Sequence, residues 1–179
     1  MSRKFRFGIV GAGAITPLHA EAVQQQADAE LVSICDIRKE RAAALAETYG
    51  IPNVYDRYEL MLQQDDLDVI CICLPNGLHA EAGIAAAKAG KHIFCEKPLD
   101  VTVEKIDALI DACREHRVKL ATVYQRRMMP EAIAARQWIR EGKLGKLVLG
   151  ELISNITGTK RTTRLPAGAP HGRRTAAAC

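Results

Sequence analysis

Residues 69–74, Val69-Ile70-Cys71-Ile72-Cys73-Leu74, are apolar without interruption. A run of this kind reads as a central strand covered on both faces. It lies far below the roughly 20 residues that span a bilayer, and no other apolar run approaches that length. The chain around it alternates short apolar strands with amphipathic helices, the pattern of a parallel α/β sheet. Strands are expected near Phe5–Val10, Glu30–Cys35, Val54, Val69–Leu74, His92–Cys95, Lys119–Val123 and Leu147–Thr157. Helices are expected over Ala14–Gln26, Lys39–Tyr49, Tyr58–Gln64, His79–Ala89, from an N-cap at Thr102 to His116, and over Pro130–Glu141. Gly50, Gly90 and Gly142 follow helices as stop signals. Crossovers between the parallel strands are right-handed by default.

The first strand runs into Gly11-Ala12-Gly13-Ala14-Ile15-Thr16, and a helical pattern follows at once. Strand, tight glycine turn and helix are what a dinucleotide pyrophosphate requires. Gly11 permits the turn, Gly13 lets backbone approach the phosphates, and the helix N-terminus offers free N–H groups. Alone the motif is weak, because an ordinary strand–helix turn looks the same. Asp36, at the end of the second strand, adds weight. A carboxylate there can accept both hydroxyls of an adenosine ribose, and its charge repels a 2′-phosphate. Asp36 therefore favours NAD over NADP, a preference softened by Arg38; its alternative reading is a helix N-cap.

Two further stretches lie at carboxyl ends of strands, where open α/β sheets bind ligands. In Leu74-Pro75-Asn76-Gly77-Leu78-His79, Asn76 can bond a ribose or amide. His79 is either a cofactor contact or a capping or surface histidine. In Cys95-Glu96-Lys97-Pro98 an acid and a lysine follow a strand directly, stiffened by proline. A lysine there can serve acid/base chemistry, because burial readily lowers its pKa; the alternative is a charged turn.

Charge and cysteine content exclude other classes. The formal net charge of +4 arises in residues 158–179, which hold five basic residues and no acid. Removing those five from 25 leaves 20 basic against 21 acidic residues, so no basic face calls for nucleic acid. Cys35, Cys71, Cys73 and Cys95 fall in or at the ends of apolar strands, and Cys113 in a helical pattern. They read as small core residues rather than disulfides or metal ligands, and no metal is expected. The opening Met1-Ser2-Arg3-Lys4 leads straight into a strand rather than a signal sequence, so a cytoplasmic location is expected.

The chain resembles the Gfo/Idh/MocA (glucose-fructose oxidoreductase / inositol dehydrogenase) family across roughly residues 5–157. The matching pieces are Gly11-Ala12-Gly13-Ala14-Ile15 with His19, Asp36, Pro75-Asn76-Gly77-Leu78-His79 and Gly90-Lys91-His92-Ile93-Phe94-Cys95-Glu96-Lys97-Pro98-Leu99. The resemblance implies a Rossmann-type doubly wound parallel sheet and NAD, or alternatively NADP, as cofactor. It implies an oxidoreductase that transfers hydride at a sugar, nucleotide-sugar or inositol-like hydroxyl. Lys97 corresponds to the catalytic lysine, and Glu96 and Lys97 to nicotinamide-ribose contacts, with the Lys97–Pro98 bond cis. Asn76, His79 and Gln125 correspond to further cofactor-side residues. The cofactor set implied is Gly11, Gly13, Ala14, Ile15, Asp36, Arg38, Leu74, Asn76, His79, Glu96, Lys97 and Gln125. Thr16 departs from the small residue usual in the family, and its β-branch is expected to crowd helix against strand.

Three segments are expected: a Rossmann domain over 1–124, the entry helix and first strand of an α+β domain over 125–157, and a disordered tail over 158–179. The tail is rich in Gly, Pro, Ala, Thr and Arg, with one Leu to bury. With GC-rich codons for Thr162–Ala169, a frame one base earlier spells Tyr-Tyr-Ala-Ser-Ala-Gly-Trp-Arg, similar to the family's continuation. A frameshift is therefore expected, and the coding DNA decides it. Family members carry further catalytic residues, typically an Asp and a His, in the second domain. The chain is thus expected to bind cofactor with impaired catalysis and to self-associate through an orphan strand at Leu147–Thr157. The rival readings are a non-catalytic NAD-binding module and, from the basic tail, a nucleic-acid binder. No membrane partner is expected.

Overall fold

The computed structural model describes residues 3–151. Its centre is a six-stranded sheet in the order β3-β2-β1-β4-β5-β6, with every neighbouring pair parallel. The strands are β1 (Phe5–Val10), β2 (Ala29–Cys35), β3 (Asn53–Tyr55), β4 (Val69–Ile72), β5 (His92–Cys95) and β6 (Leu120–Thr122). Helices α1 (Thr16–Gln24), α2 (Lys39–Tyr49), α3 (Tyr58–Met61), α4 (His79–Lys88) and α5 (Val103–Glu115) connect them, and α6 (Pro130–Arg140) follows the last strand. This is the parallel α/β sheet expected from the alternating pattern, in the Rossmann-type arrangement that the family resemblance implies. Strand order reverses between β1 and β4, so the loops after these strands diverge and leave a crevice.

The uniformly apolar β4 is explained by the two layers it separates. Ile70 and Ile72 enter a core with the alanine-rich face of α4 and with Leu109 of α5. Cys71 and Cys73 enter the opposite core with Ile9, Ile34, α1 and α2. Period-two alternation places both sulfurs on one side. All five cysteines among the described residues are free and buried. Burial pushes the thiols of Cys71, Cys35 and Cys95 up to about 12, with nearby carboxylates adding to the effect at Cys35 and Cys95. Among the described residues no cluster of His, Cys, Asp and Glu could hold a metal ion, and no helix is long and apolar enough to cross a membrane.

Several element boundaries move from those expected. α1 begins at Thr16 rather than Ala14, leaving Ala14 and Ile15 in the turn, and Pro17 sits in its first helical turn. α3 ends at Met61, after which residues 62–63 form a turn. α5 starts where expected, with Thr102 Oγ1 accepting from the Lys105 amide at 3.4 Å. The expected strand over Leu147–Thr157 is corrected in its described part. Residues 147–151 are irregular, Val148 and Leu149 are almost fully exposed, and among the described residues no strand pairs with them. An extended segment without a ladder partner has nothing to hold its backbone in strand form. The rest of that segment, and the tail over 158–179, lie outside the described residues.

The chain forms two compact units, one reaching Ile133 and one beginning at Ala134. In the second, the end of α6 is tied locally: Gln137 donates to Glu141, and Lys143 Nζ lies 2.6 Å from the same carboxylate.

Candidate cofactor site

The turn after β1 is built around Gly11, whose φ is +102°. Its N–H donates to the Cys35 carbonyl at 2.7 Å, and a Cβ on it would lie 2.5 Å from the Cys73 carbonyl oxygen. Only glycine fits there. Gly13 differs, because a Cβ on it would meet only the Cys73 oxygen, at 3.9 Å. The protein's own packing leaves that space open. Beside it, the N–H groups of Gly13, Ala14 and Ile15 donate to no group among the described residues. Three successive free donors at the N-terminus of α1, with an empty approach over Gly13, fit a dinucleotide pyrophosphate.

Thr16 does not crowd the turn as expected. It is fully buried, and its hydroxyl donates to the Gly11 carbonyl at 2.7 Å. The β-branch thus ties the first residue of α1 to the turn itself, satisfying a carbonyl that the turn leaves over.

Asp36 closes β2 beside this turn. One carboxylate oxygen accepts from the Ala12 amide at 2.7 Å and the other from the Arg38 amide at 2.8 Å. Asp36 also borders a cavity of about 260 Å3 lined by Leu74, Leu78, Tyr58 and Arg57 and by three further carboxylates, Asp56, Glu59 and Glu81. Burial and the Glu81 carboxylate push the Tyr58 phenol above its ordinary value. Arg38 is exposed and does not line this cavity.

The other end of the site follows β5. The Lys97–Pro98 peptide bond is cis. The short loop containing it is held at three points. Glu96, 8% exposed, places one carboxylate oxygen 2.9 Å from His19 Nε2 and accepts the Lys97 amide on the other at 3.1 Å. The Pro98 carbonyl lies 2.6 Å from His79 Nδ1. Asp100 is buried, accepts from the Ala80 amide at 2.9 Å and the Val101 amide at 2.7 Å, and lies 3.6 Å from the Lys105 ammonium. Burial opposes the charge on Asp100, but those donors and Lys105 outweigh it and hold the carboxyl below its ordinary value. Among the described residues the Lys97 ammonium has no hydrogen-bond or ion-pair partner, and its side chain is half-buried. A cavity of about 220 Å3 next to Glu96 is lined by Ile15, Leu18, His19, Phe94, Val123 and Gln125.

The structure therefore gathers Gly11, Gly13, Ala14, Asp36 and Leu74 at one end, and Glu96, Lys97 and Gln125 at the other, with Ile15 of the turn bordering the cavity next to Glu96. Asn76 is exposed at the start of a single 3-10 turn after β4. His79 is a correction to the cofactor-contact reading. Its ring is 1% exposed, and both nitrogens face carbonyl oxygens, the second being Leu74 O at 2.7 Å. Its polar edge is spent on fastening the loops after β4 and β5. The reading from residue types missed the carboxylates of the 260 Å3 cavity, Asp100, and the role of His19. His19 had a signal, its place three residues past Thr16, but its partner lies 77 residues away.

Comparison with known proteins agrees with this geometry. Residues 5–124 match the family model described as an oxidoreductase family with an NAD-binding Rossmann fold, GFO_IDH_MocA. An inositol 2-dehydrogenase of Rhizobium meliloti is 37% identical over 150 residues, 83% of this chain and 44% of that protein. A D-glucoside 3-dehydrogenase of Escherichia coli is 35% identical over 147 residues, 82% of this chain and 42% of that protein. Among solved structures, the WlbA dehydrogenase of Bordetella pertussis, in complex with NADH and UDP-GlcNAcA, superposes with a TM-score of 0.77 at 35% identity. It covers 80% of this chain and 44% of that one. The chain thus spans less than half the length of the relatives it matches. With the turn, the sheet order and the family model in agreement, the chain belongs to the Gfo/Idh/MocA oxidoreductase family and carries its NAD-binding Rossmann domain.

Proposed function

We propose that this chain is the cofactor-holding part of an NAD-dependent dehydrogenase acting on a hydroxyl of a sugar, nucleotide sugar or inositol-like polyol. The observation that carries the reading is the cradle of three free N–H groups at Gly13, Ala14 and Ile15, flanked by Asp36 and by the Glu96–Lys97 turn. Asp36 would take the adenosine ribose hydroxyls, and the cradle the pyrophosphate. Asp36, Asp56, Glu59 and Glu81 together make the adenosine end hostile to a 2′-phosphate, which supports NAD over NADP. The nicotinamide end would lie toward Ile15, Glu96 and Gln125.

When bound, the cofactor supplies a hydride acceptor at nicotinamide C4. This chain's Lys97 then holds or moves the proton of the reacting hydroxyl, since its amino group has no partner among the described residues and stands at the strand end next to Glu96. The relatives named above act on different polyols, which supports a hydroxyl-bearing ring as the substrate class without choosing among them.

Calorimetric titration with NADH and NADPH tests the binding half. Saturable NADH binding at least about tenfold tighter than NADPH is expected. Absence of binding at millimolar NADH overturns the proposal. Turnover assays on a polyol panel, with Lys97→Ala as control, test the chemical half. NADH binding with no turnover of any polyol favours instead a module that binds the cofactor without catalysis.

A further inference from the structure

We propose that His19 is a positioning residue for the nicotinamide end of the site, acting through Glu96 on the Lys97 turn. This rests on the cofactor reading above. Glu96 is a carboxylate inside the protein, and such a group is stable only when its oxygens are met by donors. Among the described residues its side-chain partner is His19 Nε2, at 2.9 Å, and both side chains of this contact are about nine-tenths buried. The remaining oxygen receives the Lys97 amide at 3.1 Å. Glu96 therefore connects the imidazole to the backbone of the residue assigned to proton transfer.

The placement of His19 gives this connection a purpose beyond packing. It stands in the first turn of α1, whose N-terminus presents the Gly13–Ile15 cradle. The same short helix thus offers donors to the pyrophosphate and holds the carboxylate at the end of β5. An edge-to-face contact with Phe94, ring centroids 5.8 Å apart, sets the ring plane. His19 and Glu96 both line the cavity that Ile15 and Gln125 border. The pair consequently sets the separation between the cradle and Lys97. Without its donor, the Glu96 side chain is no longer held and can turn toward solvent, and that rotation releases the Lys97 amide.

The test compares NADH with ADP-ribose, which keeps the adenosine and pyrophosphate contacts and lacks the nicotinamide. In the chain as it exists, His19→Ala is expected to weaken NADH binding about tenfold and to leave ADP-ribose binding within about twofold of wild type. His19→Gln, whose amide can still donate to Glu96, is expected to restore NADH binding to within about threefold. His19→Asn, polar but shorter by one methylene, is expected to behave like the alanine variant and serves if the alanine chain does not fold. Unchanged NADH binding in the alanine or asparagine variant overturns the proposal. So does an equal loss of NADH and ADP-ribose, or a folded glutamine variant that shows no recovery. Failure of the wild-type chain to bind either ligand overturns the parent cofactor reading instead, so the two failures are told apart.

Discussion

Asp36 Oδ2 lies 2.7 Å from the Ala12 amide, so the acid that ends β2 also holds the turn that ends β1. Its other oxygen receives the Arg38 amide. The residue assigned to the adenosine ribose is therefore fixed by backbone donors on both sides. Asp36→Ala removes the ribose acceptor and leaves the Ala12 amide without its partner. NADH affinity is expected to fall about ten- to hundredfold, read by calorimetry. NADPH affinity should gain little, because Asp56, Glu59 and Glu81 still face the same cavity. An NADPH preference in this single variant would show that Asp36 alone sets the choice.

The two glycines of the turn should separate folding from binding. Gly11→Ala forces a φ of +102° on an L side chain and drives its Cβ onto the Cys73 carbonyl. A loss of about 2–4 kcal/mol of stability is expected in urea unfolding. Gly13→Ala meets no protein atom closer than 3.9 Å, so its unfolding midpoint should stay near wild type. Its NADH binding should nonetheless fall about tenfold or more, since the new methyl occupies the approach to the free N–H groups. Retained binding in a folded Gly13→Ala chain counts against the cradle.

His79 is expected to matter for stability rather than for contact with the cofactor. With the ring removed, the Leu74 and Pro98 carbonyls no longer face a ring nitrogen, and the one that received its N–H is left without that donor. His79→Ala should cost about 2–4 kcal/mol by denaturant titration. His79→Gln, with one amide group in place of two ring nitrogens, should recover only part of that loss.

Asp100 sets an acid limit. Its folded carboxyl titrates below the ordinary value of 3.8, so the unfolded chain binds its proton first as pH falls. The stabilisation is fully present above about pH 4 and disappears as pH drops through the lower folded value. Asp100→Asn removes that dependence. Its urea midpoint should lie below wild type at pH 6, with the difference narrowing toward pH 3.

The five described cysteines are buried, and burial raises their thiols, to about 12 at Cys35, Cys71 and Cys95. At pH 8 the thiolate fraction is negligible and access is blocked. An aromatic disulfide reagent should leave all five unmodified in the native chain and react with them on unfolding. Peptide mapping reads the sites directly. Rapid native modification at Cys71 or Cys73 would contradict the two-layer core.

The sheet was legible because its determinants are local or periodic. Val69–Leu74 cannot be stable with a face in water, Gly11 marks a turn that needs positive φ, and Gly50 and Thr102 punctuate helices through backbone geometry. β5 and α2 accordingly fall on the residues expected, His92–Cys95 and Lys39–Tyr49. The described part of the expected Leu147–Thr157 strand, residues 147–151, misled for the complementary reason. Alternating apolar residues state a propensity, but a strand exists only where another backbone accepts its hydrogen bonds.

The sequence by itself determined the parallel α/β architecture, the glycine turn, and which strand ends carry Asp36 and Lys97, since each depends on residues close in the chain. Only the tertiary structure decided how these ends are held. It buried His79 between two carbonyls, turned Thr16 from an obstacle into a donor, and brought His19 to Glu96 across 77 residues. Polar side chains inside a protein take whichever partners the packed backbone brings within hydrogen-bond reach, and that choice is fixed by sheet order and crossover, not by neighbours in sequence.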